Sequence, residues 1–492
     1  MKKNDRYTVA IENTTIDGYG ICRIDGRAVF VQGALTGETW DIQILKVTNT
    51  AVWAKGVHCI TAVTARCGND CPNPCGGCTL RHMEYSEELK IKQQHVIDCL
   101  QRIGNQSVDI IQMHSSESTL SYRNKAIFAV GLSDGHAVFG FYRPRSHVII
   151  PVENCLLQSE LCIRAARSVT DFLNDNSILP YDEQTGRGTV RHIFFRQSRC
   201  EDAVLCIVSA RGFGVLTEAL VQHLRNRCPE LTGIVLNINK SSGNTVLSGN
   251  FYTLWGNGSI REEFCGNTFL ISPQAFLQVN PPQADYLYQT ALKYSVSQYY
   301  SGALADASAD DVMPDSELGS LALELYCGAG TISLGLSKLF RKVLAAEIVP
   351  EAVESAAYNA RVNGVQNVEF ICADAGEVAD KLRREDLRPD VVLVDPPRKG
   401  LTPQIISDVV RMMPEKVVYI SCNPATLARD LKLFSEMNYS LVKAEAFDMF
   451  PRTAHVETVV CLSNKNAKPR DYVEIGVDAV DYYNIKSAEK DV

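Results

Sequence analysis

The stretch that most clearly offers covalent chemistry is VVYISCNPATLARDL, at residues 417–431. Its first half reads as a buried strand, Cys422 stands at the strand's end, and Asn-Pro opens a helix near Ala425. A helix N-terminus lowers the pKa of a neighbouring thiol and so favours the thiolate, the nucleophilic form of cysteine. The alternative is an inert buried cysteine. Its place at a strand tip favours the nucleophile.

A second stretch, LELYCGAGTISL at residues 323–334, reads as a strand, a glycine turn and a helix. Glycines let the backbone approach a ligand at the carboxyl end of a strand. The next three strands end in carboxylates that could accept hydrogen bonds from ribose or adenine, or could cap helices instead. These carboxylates are Glu347, Asp374 and Asp395. Because no pyrophosphate clamp is evident, the pattern favours S-adenosylmethionine over NAD.

A thiolate beside a methyl donor suits methylation at carbon 5 of a pyrimidine. Addition of the thiolate to carbon 6 turns the ring into an enolate that can attack a sulfonium methyl. A base must then remove the carbon-5 proton so that the thiol can leave. The last strand, TAHVETVVCL, offers Glu457 as this base, with His455 on the same face by the strand period of two. For His455, a satisfied core or surface histidine is the alternative.

Four cysteines, Cys67, Cys71, Cys75 and Cys78, fall within twelve residues around the sequence CGGC. Three interpretations stay open. A disulfide needs an oxidising compartment, and a zinc site usually has two paired CxxC knuckles, of which only one occurs here. A [4Fe–4S] cluster takes four thiolates, commonly three close together and one remote. The Gly-Gly would let the chain turn tightly and bring backbone amides near cluster sulfurs.

Length and composition limit the class of protein. The chain has 492 residues, a net charge of −8 and 46 % hydrophobic residues, which is typical of a globular protein of two to four domains. The acidic total argues mildly against a general nucleic-acid-binding protein but leaves room for a basic patch. No signal-peptide pattern and no membrane-spanning apolar run occur. We therefore expect a cytoplasmic protein with reduced cysteines and no membrane partner.

The elements that must position these residues fall into distinct parts. Residues 6–60 read as five or so short strands, typical of an OB-like barrel or of another small β domain. An amphipathic helix and a mixed α/β part follow. From about residue 318, apolar strands alternate with helices, which indicates a doubly wound parallel sheet covered on both faces. The acidic stretch 303–317 reads as a solvated insertion. We predict an α/β fold class with domains at 1–62, 63–265 and 266–463, and a tail at 464–492.

A base inside folded RNA cannot reach Cys422, so this chemistry requires the target nucleotide to be flipped out. Three stretches mix basic residues with aromatic residues or glycine: YRNK at 122–125, FYRPRSH at 141–147 and GRGTVRH at 186–192. That mixture suits phosphate contact and base stacking. Each stretch could equally be a solvated basic face.

Several motifs together resemble the bacterial RNA uracil-5 methyltransferases, most of all the iron–sulfur branch that acts on 23S rRNA. The resemblance covers residues 5–463 and rests on SCNPATLARDL, DPPRKG, AHVETV, LYCGAGT and FLQVN (276–280). It implies that Cys422 is the nucleophile and Glu457 the base. It also implies a Rossmann-like methyltransferase domain and, for IDGYGICRIDGRAVFVQGALTGE, an N-terminal TRAM module that binds RNA. The donor-binding or pocket positions that it implies are Gln278, Tyr326, Glu347, Asp395 and, as a further donor contact, Asp374.

The same resemblance implies a [4Fe–4S] cluster in the central domain. The family spacing is similar to C-x5-C-G-G-C with a remote fourth cysteine, whereas here three residues separate Cys71 from Cys75 and seven separate Cys67 from Cys75. Cys71 is followed by proline, as in many members, so the resemblance favours it and leaves Cys67 in reserve. The implied ligands are Cys71, Cys75, Cys78 and Cys155.

We therefore expect a monomeric, S-adenosylmethionine-dependent enzyme that makes 5-methyluridine in 23S rRNA. Two alternatives stay open. The first is the same reaction on tRNA. The TRAM-like domain and the cysteine loop, residues 66–80, disfavour it, because tRNA-specific bacterial members typically lack both. The second is a non-catalytic RNA-binding assembly factor, against which the intact Cys422, Glu457 and Asp395 argue.

Overall fold

The computed structural model of the chain describes residues 1–68, 71, 73–144, 146–241, 243, 245–296 and 318–466. The predicted insertion at 303–317 and the tail beyond residue 466 lie outside the described residues. Within the described part of the chain, the strands form three large sheets and one two-stranded sheet. The α/β fold class predicted from the sequence is confirmed.

The N-terminal part is a six-stranded sheet in the order β1-β5-β6-β4-β3-β2. Alternation along its strands sends residues such as Val29, Val31 and Val52 into a core of their own. The β structure predicted for residues 6–60 is confirmed, whereas the TRAM module and the predicted domain boundaries stay predictions. The strands are β1 Arg6–Ala10, β2 Asn13–Thr14, β3 Tyr19–Ile24, β4 Arg27–Gln32, β5 Thr39–Val47 and β6 Val52–Thr61.

The central part is a mixed seven-stranded sheet in the order β10-β9-β8-β11-β12-β13-β14, with helices α2 and α3 packed together on one face. A two-stranded sheet, β15-β16, follows it and packs against the core of the C-terminal part. The elements are β8 Lys125–Ser133, β9 His136–Tyr142, β10 Ile149–Pro151, α2 Glu160–Asp175, β11 Val190–Gln197, β12 Ala203–Ser209, a short 3-10 helix Gly214–Leu216, α3 Thr217–Arg227, β13 Gly233–Ile238, β14 Asn250–Gly256, β15 Ile260–Phe264 and β16 Asn267–Ile271.

The C-terminal part is an eight-stranded sheet in the order β19-β18-β17-β20-β21-β23-β22-β7. Its first five strands run parallel, and β23 inserts antiparallel beside β21. The strand order reverses between β17 and β20, and in such sheets ligands bind at the carboxyl ends beside that reversal. The strands and helices are α4 Pro281–Val296, β17 Gly319–Leu325, α5 Thr331–Leu336, β18 Phe340–Glu347, α6 Pro350–Val362, β19 Val368–Cys372, α7 Ala375–Arg384, β20 Val391–Val394, α8 Pro403–Arg411, β21 Lys416–Ser421, α9 Pro424–Glu436, β22 Tyr439–Phe447 and β23 Glu457–Asn464.

Helices cover both faces of this sheet, as the near-continuous apolar strands predicted. One face packs against α4, α5 and α6, and the other against α7, α8 and α9. Neighbouring residues of β17 alternate between the two cores: Ala322 faces the first, whereas Leu321 and Leu323 face the second. The sheet is therefore buried on both sides, and its polar residues concentrate at the strand ends.

Two elements that lie early in the sequence belong to this C-terminal core. Helix α1, Tyr85–Arg102, packs its Val96 and Leu100 beside α9. Strand β7, Gln112–His114, pairs in parallel with β22 and forms the edge of the eight-stranded sheet. The eight-stranded part of the molecule is thus completed by residues from the segment between the N-terminal sheet and the central sheet.

Gly104, just after α1, lies against the backbone of α9. A Cβ atom added there would lie 2.7 Å from the Leu100 carbonyl oxygen and 3.0 Å from the Ala428 carbonyl oxygen. We expect Gly104→Ala to lower the free energy of unfolding by about 1–3 kcal/mol, measured by urea titration. Gly212→Ala is the control, because an added Cβ there meets no atom within 4 Å. Equal losses in both variants would contradict a tight α1–α9 contact.

Candidate active site

The glycine turn after β17 forms one wall of a cavity at the carboxyl edge of the sheet. Gly330 has a φ of 81°, and a Cβ atom added to it would lie 3.2–3.3 Å from side-chain atoms of Ala356 and Phe370. Only glycine therefore fits there without displacing its neighbours. Helix α5 then begins at Thr331. The cavity opens to solvent, and its lining residues are Phe276, Leu277, Tyr288, Glu324, Tyr326, Cys327, Gly328, Ala329, Thr331, Ile332 and Asp395.

Glu347 is the last residue of β18, at the strand tip that the sequence predicted. Its carboxylate accepts hydrogen bonds from the backbone N–H of Gly328 at 3.3 Å, Ile348 at 2.9 Å and Val349 at 3.0 Å. The first of these bonds ties the glycine turn to the neighbouring strand. Glu347 is therefore fixed beside the turn, where it can accept from a ribose hydroxyl.

Asp374 follows β19 and is an exposed residue. It is the N-cap of α7: its Oδ1 accepts from Glu377 N at 2.9 Å, and its own N–H donates to Glu377 Oε2 at 3.0 Å. This capping box is the helix-cap alternative that the sequence left open. One carboxylate oxygen of Asp374 thus accepts a hydrogen bond from the backbone of α7.

Tyr326 and Gln278, two of the predicted pocket residues, relate differently to the cavity. Tyr326 opens the glycine turn with a φ of 66°, and burial, followed by the Glu347 carboxylate, raises the pKa of its hydroxyl. Gln278 is buried directly after the lining residue Leu277, and its backbone oxygen accepts from Asn124 Nδ2 at 3.0 Å. Tyr326 lines the cavity, whereas Gln278 stands behind its wall.

Cys422 follows the last residue of β21 and precedes Asn423, the N-cap of α9. The sequence predicted a lowered pKa for this thiol, and the structure corrects that direction. Burial, followed by the carboxylates of Glu457 and Asp395, raises the pKa of Cys422 to about 11, and Arg398 offsets this only in part. Desolvation is the largest of these causes, and the two carboxylates act in the same direction. The Asn423 side chain also already accepts from Ala425 N at 3.0 Å.

Two carboxyl groups share the environment of Cys422. Asp395 follows β20, and burial raises its pKa to about 7. Glu457 is the buried first residue of β23; burial, followed by Asp395, raises its pKa to about 8, and Arg398 partly lowers it. The Oε2 atom of Glu457 is buried without a hydrogen-bond partner. These two groups and the thiol come from three adjacent strands and meet at one edge of the sheet.

Sequence reasoning did not assign a role to Arg398, the arginine of the DPPR motif. Its cation lowers the pKa of Cys422 and of Glu457, and its Nη2 lies 3.3 Å from His455 Nε2. Burial, followed by Arg398, lowers the pKa of His455 to about 4, so this ring is neutral. His455 precedes β23 rather than lying within it, which corrects the prediction of a shared strand face with Glu457.

Glu324 is a further acid that sequence reasoning did not single out. It lies within β17, is buried, accepts from the Ser333 hydroxyl and lines the cavity. Burial is the main cause that raises its pKa, to about 8. The sequence did contain a signal for this residue, because a carboxylate inside the apolar run LALELYC indicates a buried acid.

Comparison with known proteins identifies the family. Residues 309–465 match the family model described as tRNA (Uracil-5-)-methyltransferase. An uncharacterized RNA methyltransferase of Clostridium tetani is 36 % identical over 466 residues, which cover 94 % of this chain and 97 % of the relative. Another, from Halalkalibacterium halodurans, is 36 % identical over 470 residues, covering 95 % and 98 %. The chain belongs to the RNA uracil-5 methyltransferase family.

This methyltransferase is therefore an S-adenosylmethionine-dependent enzyme of class EC 2.1.1. Its fold is similar to that of the solved Pyrococcus abyssi tRNA (uracil-54, C5)-methyltransferase in complex with S-adenosyl-L-homocysteine. The TM-score is 0.70 at 23 % identity, and the match covers 93 % of this chain and 100 % of that one. The predicted S-adenosylmethionine-dependent methyltransferase fold is confirmed. None of the methyltransferase's described helices combines the length and apolar character needed to cross a bilayer.

The cysteine loop of the methyltransferase lies against the segment that holds Cys155. The Asn73 side chain donates to the backbone oxygen of Asn154. Burial raises the pKa of Cys155, and the thiols of Cys75 and Cys71 raise it further. Burial also raises the pKa of Cys78, and the thiols of Cys155 and Cys71 raise it slightly further. These four thiols are near one another, yet within the described residues no group of three or more possible ligands has metal-binding geometry.

Two details separate the members of this loop. The Cys67 thiol donates to the carbonyl oxygen of Arg81, four residues before the start of α1, at 3.4 Å. Gly76 has a φ of 74°, and an added Cβ would lie 2.7 Å from Pro144 Cγ. The tight turn predicted for the Gly-Gly is therefore confirmed at Gly76.

The three basic stretches have different surroundings. In the first, the Lys125 ammonium lies 5.9 Å from the ring centroid of Phe276, which is 65 % exposed and lines the cavity. In the second, Arg143 is exposed and Arg145 lies outside the described residues. The third is corrected in part, because Arg191 and His192 are buried and Arg191 donates to two backbone oxygens. Its Arg187 is exposed.

The charges around Cys422 predict opposite effects of two substitutions on thiol reactivity. Glu457→Gln removes a like charge and should speed alkylation of Cys422 by iodoacetamide at about pH 9, since each unit of thiol pKa changes the thiolate fraction up to about tenfold. Arg398→Gln should slow it. The rate is followed by mass spectrometry of the Cys422 peptide, with the exposed Lys399→Gln as control. A change in the same direction for both variants would show that access, not charge, sets the reactivity.

Proposed function

We propose that this enzyme transfers a methyl group from S-adenosylmethionine to carbon 5 of a uridine in 23S rRNA, through a covalent adduct between Cys422 and ring carbon 6. The observation that carries the proposal is the meeting of Cys422, Glu457 and Asp395 beside the cavity of the glycine turn. A nucleophile, a base and a donor pocket thus share one edge of the sheet.

The reaction divides into two steps that need different residues. In the first, the Cys422 thiolate adds to carbon 6, and carbon 5 attacks the donor methyl, leaving S-adenosylhomocysteine. In the second, Glu457 takes the carbon-5 proton, the carbon 5–carbon 6 double bond reforms, and the Cys422 sulfur leaves as a thiolate. Glu457 must be ionised for this step, and its raised pKa of about 8 makes it a suitable acceptor.

The charge of the donor supports this assignment. Cys422, Glu457 and Asp395 all have raised pKa values. A sulfonium cation favours the ionised form of nearby acids, so a bound donor would lower these values. Donor binding would thereby promote both the thiolate and the ionised base.

The choice of RNA is the second part of the proposal. The resemblance to the iron–sulfur branch, together with the cysteine loop beside Cys155, supports 23S rRNA. The tRNA alternative has support from the names of the family model and of the Pyrococcus abyssi neighbour, which refer to tRNA. A non-catalytic assembly factor has no such support, since the family consists of methyltransferases. We further propose that the enzyme is cytoplasmic and monomeric.

The proposal includes a [4Fe–4S] cluster held by Cys71, Cys75, Cys78 and Cys155. The support for this proposal is the chemistry of the four side chains, because thiolates are the ligands that such a cluster takes. Besides burial, the thiols of Cys75 and Cys71 also raise the pKa of Cys155, although the described residues alone form no group with metal-binding geometry. The Cys67 thiol donates to the Arg81 carbonyl oxygen at 3.4 Å, and the proposal leaves it outside the ligand set. The cluster would organise the part of the protein that contacts RNA, because methyl transfer by this route requires no electron.

RNA contacts are proposed to surround the cavity mouth. Phe276 offers an exposed ring for base stacking, and Lys125 offers a cation for the phosphate backbone. Arg143 and Arg187 are further exposed cations that would contact phosphates. The target uridine must leave its stack to enter between them.

The function is tested by transferring labelled methyl groups to 23S rRNA and tRNA transcripts. Wild-type enzyme should methylate a uridine of the 23S transcript, and Cys422→Ala should lower the rate below about 10⁻³ of it, because the nucleophile is lost. The variant should still bind S-adenosylmethionine in an equilibrium assay. Methylation of tRNA alone would establish the alternative substrate, and turnover by Cys422→Ala would refute the covalent route.

The cluster is tested by iron content and visible absorption after anaerobic purification. We expect iron in the wild type and its loss in Cys78→Ser and Cys155→Ser, since each removes one of four thiolate ligands. Cys67→Ser, in the same loop, should keep its iron. Zinc in place of iron in the wild type, or iron loss in Cys67→Ser but not in Cys71→Ser, would contradict the ligand assignment.

A further inference from the structure

The loop at residues 448–456, which we term the base loop, leads from the end of β22 to Glu457 at the start of β23. Several of its backbone polar groups bond to side chains and backbone groups that come from other parts of the chain. The position of Glu457 therefore depends on residues far from it in sequence.

Lys92 of α1 is the central member of these contacts. It is fully buried, and its ammonium donates to Glu88 Oε1 at 2.7 Å, Asp448 Oδ1 at 2.7 Å and the Phe450 carbonyl oxygen at 3.2 Å. All three N–H donors of the ammonium thus have acceptors. A buried charge with this geometry fixes its partners, because removing one partner leaves the other charges unpaired in the core.

Glu88 connects the same helix to Arg452. Its Oε1 accepts from the backbone N–H of Arg452 at 2.7 Å, and the Arg452 guanidinium donates to the Met83 carbonyl oxygen at 3.1 Å. Arg452 has a φ of 69°, an uncommon backbone conformation for a residue with a side chain. The surrounding bonds must hold it there.

Two further side chains bind the base loop from the central part of the chain. The Tyr122 hydroxyl donates to the Pro451 carbonyl oxygen at 3.0 Å, and Asn280 Nδ2 donates to the Met449 carbonyl oxygen at 3.4 Å. The Leu80 N–H, two residues after Cys78, donates to the Arg452 carbonyl oxygen at 3.2 Å. Residues 449–452 are thus each bound from outside the loop, and the cysteine loop takes part.

We propose that Lys92, Glu88 and Tyr122 are positioning residues that fix the base loop and thereby direct Glu457 toward carbon 5 of the target base. This inference rests on the proposed role of Glu457 as the base. None of the three residues lines the cavity, so they act through the loop and not on the substrate.

The two steps of the reaction give this role a distinct signature. Adduct formation uses Cys422, which lies between β21 and α9, whereas elimination uses Glu457, which follows the base loop as the first residue of β23. A disturbed base loop should therefore slow proton removal more than thiolate addition. The methylated adduct between the protein and the RNA would accumulate, because its carbon-5 proton leaves late.

The experiment is a quenched single-turnover assay with the full-length enzyme, S-adenosylmethionine and RNA that carries hydrogen or deuterium at carbon 5 of uridine. Lys92→Met should slow product release by about tenfold or more. Complete loss of a positioned base would slow it by roughly 10²–10⁴-fold, which sets the upper limit. Tyr122→Phe, which removes one hydroxyl and keeps the fold, should slow it by about two- to tenfold. In both, the deuterium isotope effect on product release should rise, and adduct formation should change less than about twofold.

Lys90→Met is the matched control, because Lys90 lies on the same helix with a side chain that is 71 % exposed. Its rates and isotope effect should equal those of the wild type. A parallel loss of adduct formation and product release in Tyr122→Phe, with an unchanged isotope effect, would overturn the positioning role. Glu457→Gln separates the two proposals: if it fails to accumulate the adduct, the base assignment is wrong, and if it alone accumulates the adduct, only the positioning inference is wrong.

Discussion

Burial of negative charge at one edge of the sheet is the constraint on which the site depends. Asp395, Glu457 and Glu324 come together in a desolvated region, where burial raises their pKa values to about 7, 8 and 8. The same desolvation raises the pKa of the Cys422 thiol, and among the described groups Arg398 partly compensates it. Such an arrangement is costly without a cation, and a sulfonium donor would supply one. The buried acids therefore favour binding of a cationic ligand such as the sulfonium donor.

The topology explains why these groups meet. Strand order reverses between β17 and β20, and the glycine turn follows the first while Asp395 follows the second. Cys422 follows the next strand, β21, and Glu457 begins β23, which runs antiparallel beside it. A parallel strand ends at the edge where its antiparallel neighbour begins, so Cys422 and Glu457, the proposed nucleophile and base, lie at the same edge of the sheet. Helix α1 and the base loop then complete this edge from the other side.

The sequence predicted the placement of these residues better than their surroundings. Strand tips follow from the length of apolar runs, so Glu347, Asp395 and Cys422 stand at the predicted ends. The pKa of Cys422 was predicted in the wrong direction, because the carboxylates that raise it come from other strands and no local pattern reveals their proximity.

The remaining differences have the same origin. Asp374 caps its own helix through a local capping box that the sequence could offer only as an alternative. Strand β7 pairs with β22, across most of the length of the chain, and a three-residue strand gives little periodicity to read. Lys92 reads as one charge on an amphipathic helix, and only the fold shows that Asp448 neutralises it in the core.

The central claim is that the sulfur of Cys422 bonds to the pyrimidine ring. Fluorine at carbon 5 cannot leave as a proton does, so RNA containing 5-fluorouridine should stop the reaction at the adduct. Digestion and tandem mass spectrometry of the complex formed with S-adenosylmethionine should find a methylated fluorouridine on the peptide that contains Cys422. A stalled complex with the ring attached to another residue, or to no protein atom, would contradict the account.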